Sequence, residues 1–181
     1  MRFSGVQYDQ LWEIGFLTSD DRVELLDGQI VRKPEVNSAH YYALADVHKR
    51  LLFQFHNRAM VVNQGTISLP QDGRPDPDIV LAFLEIPRYR VPLPEEIFLL
   101  IEVSDSTLYR DQNTKLALYA RDNISEYWIL NLEENQLEVY RDPIGESYQT
   151  KLIFHIGQMA TCLAFPDDAI DWFSGLENIG G

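Results

Sequence analysis

Apolar and polar residues follow two different spacings near the start of the chain. Residues 8–16 have the spacing of a short amphipathic helix. Residues 23–34 form two strand-like stretches on either side of Asp27-Gly28, a dipeptide that suits a tight turn with positive φ. We therefore predict a helix followed by a β-hairpin.

A longer helical pattern follows the hairpin. Asn37 and Ser38 can cap the helix, and the pattern continues to about Asn57. Its apolar side consists of residues at helical spacing, namely His40, Leu44, Val47, Leu51 and Phe55. This apolar side predicts a helix that packs on a sheet.

Three apolar stretches after this helix predict strands, at 59–70, 76–83 and 97–104. The last two are nearly continuous apolar runs, which are typical of strands buried on both faces at the centre of a sheet. Residues 86–96 contain three prolines and are predicted to form a loop. A further helix is expected at about 107–122.

The C-terminal part of the chain predicts an antiparallel meander, with strands at 126–132, 136–142 and 148–156. The order of helices and strands favours an α/β fold, an αβ sandwich with a mixed central sheet flanked by helices. The sequence contains no internal repeat and no linker rich in serine and glycine. A single domain over residues 1–181 is therefore predicted.

Composition indicates the cellular compartment in which the protein is expected. Cys162 is the only cysteine in the sequence, so no internal disulfide is expected. The longest apolar runs are much shorter than the roughly 20 residues of a membrane-spanning helix, and no signal-peptide pattern opens the chain. We expect a cytoplasmic protein without a membrane partner.

The charge balance opposes a nucleic-acid partner. The chain has 28 acidic and 15 basic residues and a formal net charge of −13, whereas proteins that bind nucleic-acid backbones usually present a basic face. The basic residues lie mainly in the middle of the chain. A locally basic cleft on an acidic protein is therefore compatible with the sequence.

Asp78, Glu102 and Lys115 form the best organised group of candidate catalytic residues. Asp78 abuts one apolar strand, Glu102 lies near the end of the next, and Lys115 follows on a helix that can return over that strand. Two carboxylates can bind Mg²⁺ or Mn²⁺, and an ammonium group can orient the attacking water or offset negative charge. This combination predicts metal-dependent hydrolysis of phosphodiester bonds.

Each of these residues also has a structural interpretation. Lys115 interrupts the apolar arc of its helix, where it can extend to solvent or pair with Asp111. A charge in that arc is expected to reduce stability, so Lys115→Met is predicted to fold at least as stably as the wild type. Glu102 can pair with an arginine. Asp76 competes with Asp78 for the role of metal ligand.

Glu24 and His40 are candidates for supporting roles. Glu24 lies in the first strand of the hairpin, where it can instead face solvent, and His40 lies in the first turn of the long helix, where it can be hydrogen-bonded structure. The other histidines show no metal-ligand spacing with one another or with Cys162, which argues against zinc. The sequence has no Gly-rich phosphate loop and no Gly-x-Ser-x-Gly motif.

The order of several short segments resembles a known family. The segments are VELLDGQIV, Ser38-Ala39-His40, PDPDIVLAF, IEVSDST, RDQNTKLALYA and ISEYWILNL. Together, from about Leu11 to Phe173, they resemble the Uma-type family of bacterial restriction-endonuclease-like proteins. The resemblance implies the PD-(D/E)xK nuclease superfamily, a restriction-endonuclease-like αβ core and Mg²⁺-dependent DNA cleavage.

The resemblance also implies roles for individual residues. Asp78 takes the Pro-Asp position of the superfamily, and Glu102 takes the acidic position of the next strand. The superfamily's lysine usually stands two residues after that acid, where this chain has Ser104. Lys115 matches the helix lysine of the family and can supply the same charge from a different backbone position.

Glu24 and His40 match the family's upstream acidic and histidine positions. We therefore expect a Mg²⁺- or Mn²⁺-dependent endonuclease with DNA as its partner, and a homodimer is an open alternative to a monomer. A catalytically inactive nuclease-fold module that binds DNA or another protein is the alternative function. A third alternative, a self-assembling structural protein, requires the strand with Tyr127 and Trp128 to form an exposed oligomer surface.

Overall fold

The computed structural model describes residues 2–70 and 73–173. These residues form a two-stranded N-terminal hairpin, a six-stranded central sheet and a two-stranded C-terminal hairpin. The N-terminal hairpin consists of β1 (Val23–Leu26) and β2 (Gln29–Arg32). The six strands of the central sheet, in their spatial order, are β3 (Met60–Asn63), β4 (Ile79–Ala82), β5 (Ile97–Ser104), β6 (Glu126–Asn131), β7 (Gln136–Ile144) and β8 (Ser147–His155). Neighbouring strands are antiparallel except β5 and β6, which are parallel. The predicted α/β fold with a mixed central sheet is confirmed.

The N-terminal helix packs against the hairpin. α1 (Gly5–Glu13) begins earlier than predicted because Ser4 and Gln7 form a capping box, in which each side chain accepts the backbone N–H of the other. In the hairpin turn, Asp27 and Gly28 have φ values of 48° and 72°, as a tight two-residue turn requires. The predicted hairpin is confirmed.

The long helix α2 (Ser38–Phe55) covers one face of the central sheet. The Asn37 side chain caps it by accepting the backbone N–H of His40 at 2.9 Å. The predicted apolar side is buried against the sheet through Leu44, Val47, Leu51 and Phe55. In the described part of the chain, neither α2 nor any other helix is long and apolar enough to cross a membrane.

A third helical segment covers the opposite face of the sheet. It runs without a break through α3 (Leu108–Arg110), a π-helical segment (Asp111–Lys115) and α4 (Leu116–Arg121), and is called helix 108–121 below. It connects β5 to β6, and its Tyr119 is buried in the core on that face. The helix predicted at this place is confirmed, with a wider turn at its centre than the sequence indicates.

β3 and β4 are shorter than the predicted stretches 59–70 and 76–83. After Asn63, Gln64 adopts a left-handed φ of 50° and donates its backbone N–H to the carbonyl of Asp78 at 2.8 Å. This turn directs the chain out of the strand. Asp78 is the residue immediately before β4, so it lies at the end of the sheet that faces the cleft described below.

A second hairpin near the C-terminus was not predicted from the sequence. It consists of β9 (Met159–Cys162) and β10 (Phe165–Asp171) and packs beside α2, where the rings of Phe165 and Phe55 stack with centroids 4.6 Å apart. The pairing of the two strands shifts register between Phe165 and Ile170. This irregularity breaks the alternation by which a strand is recognised in a sequence.

Tyr127 and Trp128 lie in β6 and are fully buried. Tyr127 packs under helix 108–121, and Trp128 packs on the other face of the sheet, against Trp172. Tyr127 and Trp128 therefore do not form the exposed oligomer surface that the alternative of a self-assembling structural protein requires, and that alternative is wrong.

Candidate active site

A cleft of about 940 Å³ opens between α1, the N-terminal hairpin, the loop 86–96 and helix 108–121. It is lined by all five residues selected from the sequence, namely Glu24, His40, Asp78, Glu102 and Lys115. Six basic and seven acidic side chains line this cleft, so it is far less acidic than the chain as a whole. The fold thus brings the selected residues together and concentrates basic side chains around them.

Lys115 and Glu102 form a buried ion pair at the floor of the cleft. The Lys115 Nζ lies 2.9 Å from the Glu102 Oε1, and both side chains are less than a tenth exposed. The Tyr119 hydroxyl donates to the same Glu102 oxygen at 3.0 Å. Lys115 and Tyr119 lie one turn apart in helix 108–121, so two side chains from the same face of this helix donate to the Glu102 carboxyl group.

Glu24 adds a second carboxylate to Lys115. Its Oε2 lies 3.5 Å from the Lys115 Nζ, and its Oε1 lies 3.7 Å from the nearest Arg110 nitrogen. Glu24 also accepts the backbone N–H of Asp76 at 3.2 Å. Only 1% of Glu24 is exposed, so the alternative of a solvent-facing residue on an edge strand is wrong. The hairpin carries Glu24 into the site.

Asp78 and Asp76 have separate environments. Asp78 accepts the backbone N–H of Val103 at 2.8 Å through Oδ2, and its Oδ1 lies 3.2 Å from the Nε2 of His40. Asp76 instead pairs with Lys33 and accepts the hydroxyl of Thr66. Asp78 is therefore tied to the strand that carries Glu102, whereas Asp76 is already neutralised by a lysine.

Asp111 is a site residue that sequence reasoning placed only as a structural partner of Lys115. It lines the cleft, it is 2% exposed, and its Oδ2 accepts the hydroxyl of Ser104 at 2.7 Å. Ser104, at the position where the resemblance noted in the sequence led us to look for a lysine, anchors a carboxylate instead of supplying a cation. The spacing of Asp111 and Lys115 along the helix was the signal that could have identified it.

The protonation of the ion pair follows from its surroundings. Burial raises the pKa of Glu102 well above its ordinary value, Lys115 lowers it, and the acidic neighbours Asp111, Asp78 and Glu24 raise it further. Burial lowers the pKa of Lys115, but the charges of Glu102, Glu24 and Asp111 outweigh burial and raise it above its ordinary value. Lys115 therefore remains an ammonium ion among carboxyl groups that gain from additional positive charge.

His40 is the titratable group on the far side of Asp78. Burial lowers its pKa, but the hydrogen bond and the charge of Asp78, with smaller contributions from Asp111 and Asp105, raise it above its ordinary value. Asp78 thus makes the protonated imidazole more favourable than it is in a free histidine. His40 contacts one oxygen of Asp78, and the backbone N–H of Val103 donates to the other.

The donor set of the cleft fits a hard divalent cation held by few protein ligands. Within residues 2–70 and 73–173, no three histidine, cysteine or acidic side chains are placed to hold one ion together. Mg²⁺, however, is commonly bound by one or two carboxylates, with waters and substrate phosphates completing its shell. Asp78 and Glu102 could supply such a pair, and the carboxylates of Glu24 and Asp111 line the same cleft.

Comparison with known proteins assigns the chain to a family. A family model described as "Uma2: Putative restriction endonuclease" matches residues 6–172. The chain belongs to the Uma2 family. The family resemblance noted from the sequence is confirmed, and Uma2 membership supports a nuclease-like function.

The fold of this Uma2 protein is similar to a solved structure, described as the crystal structure of a putative nuclease belonging to DUF820 from Anabaena variabilis ATCC 29413. The two chains are 19% identical, and the match has a TM-score of 0.66 over 92% of this chain and 98% of that chain. At this identity the likeness concerns the fold. A search of curated proteins gave no match.

Proposed function

We propose that this Uma2 protein is a metal-dependent endonuclease that hydrolyses phosphodiester bonds in DNA. The observation that carries the proposal is the Lys115–Glu102 ion pair, which is buried beside Asp78 in a large cleft. An ion pair that only stabilised the fold would gain little from this position, because the desolvation of two charges offsets most of their attraction. A catalytic role explains why three charged groups are kept together there.

The residues of the cleft have distinct roles in this proposal. Asp78 and Glu102 would hold Mg²⁺ or Mn²⁺, and Val103 and His40 orient Asp78 through its two oxygens. A cation bound there would make a water molecule more acidic and offset negative charge on the phosphate. Lys115 keeps its proton and stabilises the negative charge that develops on the phosphate oxygens, or orients the attacking water.

Supporting residues keep the lysine in place. Glu24 and Glu102 contact the same Lys115 nitrogen from different elements, so the ammonium group cannot turn away from the floor of the cleft. Tyr119 donates to the Glu102 oxygen that faces Lys115 and restrains that carboxylate as well. The fixed geometry lowers the reorganisation needed during the reaction.

Calorimetric titration with Mn²⁺ and a plasmid-nicking assay in Mn²⁺ test the proposal together. Asp78→Asn keeps an acceptor for the Val103 N–H, and Glu102→Gln keeps the shape of the side chain, but each removes a negative charge. We expect both variants to lose Mn²⁺ affinity and nicking by at least about tenfold, because each removes one of two proposed protein ligands.

Glu95→Gln is the matched control, because Glu95 is an exposed carboxylate just before β5. It should bind Mn²⁺ and nick DNA like the wild type. A folded wild type without Mn²⁺ affinity would identify the inactive module instead. Unchanged nicking in Asp78→Asn and Glu102→Gln would place the reaction elsewhere.

A further inference from the structure

Two exposed aromatic side chains line the cleft, where most of the other lining residues are polar or charged. Tyr89 is 88% exposed on the loop 86–96, and Trp12 is 37% exposed on α1. A ligand that stacked on these rings would remove apolar surface from water, which is favourable. Flat, stackable groups are the ligands that such rings accept.

The Trp12 ring is held by its surroundings. It packs edge-to-face with the Tyr8 ring, with centroids 6.2 Å apart, and the Tyr8 hydroxyl donates to the carbonyl of Val23. The position of the Trp12 ring is therefore largely set before a ligand arrives, which reduces the entropy lost on binding. Tyr89 precedes Arg90, whose guanidinium makes two 2.6 Å hydrogen bonds to the carboxylate of Glu96 and restrains the loop next to Tyr89.

The cleft opposes a phosphate backbone less than the rest of this acidic protein does. Six basic and seven acidic side chains line the cleft, whereas acidic residues outnumber basic ones by more than two to one elsewhere in the chain. Double-stranded DNA carries about one negative charge per 1.7 Å of helix axis, so a duplex that extends beyond the cleft meets a mostly acidic protein. A single strand can lie mainly within the cleft.

We infer that the cleft takes single-stranded nucleic acid, whose bases stack on Trp12 and Tyr89 while its phosphates meet the basic side chains beside them. The inference rests on the proposed nuclease function and specifies its substrate. In a duplex, base faces are covered by neighbouring base pairs, whereas a single strand presents them to aromatic side chains. Stacking of this kind tolerates any sequence, in agreement with the absence of a DNA-reading motif in the sequence.

Fluorescence anisotropy with labelled oligonucleotides tests the inference. The probes are an oligodeoxythymidine, an oligouridine of the same length and a DNA hairpin duplex, each titrated with the full chain in EDTA and again in millimolar Ca²⁺. We expect at least about tenfold tighter binding of the single strands than of the hairpin. Tyr89→Ala and Trp12→Leu should each weaken single-strand binding roughly 5- to 150-fold, the range for one lost stacked base.

Tyr109→Ala is the control, because Tyr109 is 81% exposed but does not line the cleft. It should bind like the wild type. Equal or tighter binding of the hairpin, unchanged binding in both aromatic variants, or no binding of any single strand would overturn the inference. The two oligonucleotides distinguish DNA from RNA.

The binding assay is separate from the test of the proposed reaction. If single strands bind as expected but Mn²⁺ produces neither nicking of plasmid nor cleavage of the oligodeoxythymidine, the reaction fails and the ligand class stands. If plasmid is nicked while the aromatic variants bind and nick normally, the ligand class fails and the reaction stands.

Discussion

At the scale of single residues, the position of Lys115 decides how the cleft is interpreted. The sequence showed a charge in an apolar arc, and the protein was expected to be at least as stable when that charge was removed. The structure gives Lys115 two carboxylate partners, Glu102 and Glu24, both nearly inaccessible to solvent. Removing the lysine would leave these carboxyl groups without their cation, so the expected effect on stability changes sign.

We now expect Lys115→Met to lower the free energy of unfolding by about 3–5 kcal/mol at neutral pH, as is typical when one partner of a buried pair is removed. Urea unfolding measures the effect. Lys49→Met, at an exposed lysine of α2, is the control and should change stability by less than about 0.5 kcal/mol. Adding Glu102→Gln to Lys115→Met should recover part of the loss. If Lys115→Met unfolded like the wild type, the ion pairs of Lys115 with Glu102 and Glu24 would contribute nothing to the stability of the fold.

Glu96 provides a pH-dependent test of the loop that carries Tyr89. The hydrogen bonds from Arg90, followed by the backbone N–H of Leu93, lower the pKa of Glu96 from 4.5 to about 2. A depressed carboxyl pKa contributes stability above the unfolded pKa, and this contribution is lost as the pH falls through the folded pKa. The relevant window therefore runs from pH 4.5 down to about 2.

Glu96→Gln should accordingly be less stable than the wild type at neutral pH, and the difference should shrink as the pH falls below 4.5. Urea unfolding between neutral pH and about pH 3 measures the difference where the fold persists. Glu95→Gln, at the exposed neighbouring carboxylate, controls for the removal of one negative charge from this loop. A constant gap for Glu96→Gln would contradict the hydrogen-bonded loop.

At the scale of elements, the N-terminal hairpin positions Glu24, so its turn matters to the site. Gly28 has a φ of 72°, and a Cβ there would lie 3.1 Å from the carbonyl oxygen of Phe3. The backbone N–H of Phe3 also donates to the carbonyl of Gly28 at 2.7 Å. The segment before α1 is thus fastened directly onto the turn.

Gly28→Ala is expected to reduce stability by more than Gly145→Ala. Gly145, in the β7–β8 turn, has a similar φ of 61°, but a Cβ added there would have no heavy atom within 4 Å. Both substitutions carry the left-handed strain of about 1–2 kcal/mol, and only Gly28→Ala adds a contact with backbone. Thermal and urea melts of the pair measure the difference. Equal losses would show that the Phe3 segment moves aside freely.

Most elements could be predicted because their patterns are local. The hairpin follows from one dipeptide, α2 follows from its cap and apolar side, and the buried strands follow from continuous apolar runs. Glu102 was identifiable because an acid inside such a run needs a partner. The shortened β3 was not identifiable, because a single left-handed residue, Gln64, ends it.

The rest of the site depends on contacts between distant segments. The pairing of Ser104 with Asp111 was hidden because Ser104 was considered only as a missing lysine. The π-helical segment Asp111–Lys115 changes the angle between successive side chains, so an arc drawn at regular helical spacing misplaces them. Such wider turns are frequent at functional sites, which agrees with the place of this one beside Glu102.

At the scale of the whole molecule, the net charge opposes a nucleic-acid ligand more strongly than the charge of the cleft does. The formal charge of −13 repels phosphates at long range, whereas the six basic side chains of the cleft nearly balance its seven acidic ones. Binding of nucleic acid should therefore be weak, and added salt should weaken it further.

Millimolar Mg²⁺ should strengthen DNA binding at fixed ionic strength, because a cation between Asp78 and Glu102 would offset negative charge next to the phosphate. Anisotropy titrations with Mg²⁺ or with KCl matched in ionic strength measure this effect. Glu102→Gln should abolish the difference between the two salts. Tight binding that does not respond to Mg²⁺ would contradict a metal that bridges the site and the phosphate.

The parallel pairing of β5 with β6 has a consequence for how the chain folds. A parallel pair cannot be closed by a short turn, so the two strands meet only after helix 108–121 has crossed the face of the sheet. Non-local pairing of this kind slows folding, because chain entropy is lost before the contacts form. The helix that carries Lys115 is thereby also the connection that must form before the middle of the sheet can close. Substitutions in this one segment are therefore expected to change both the rate of folding and the rate of the proposed reaction.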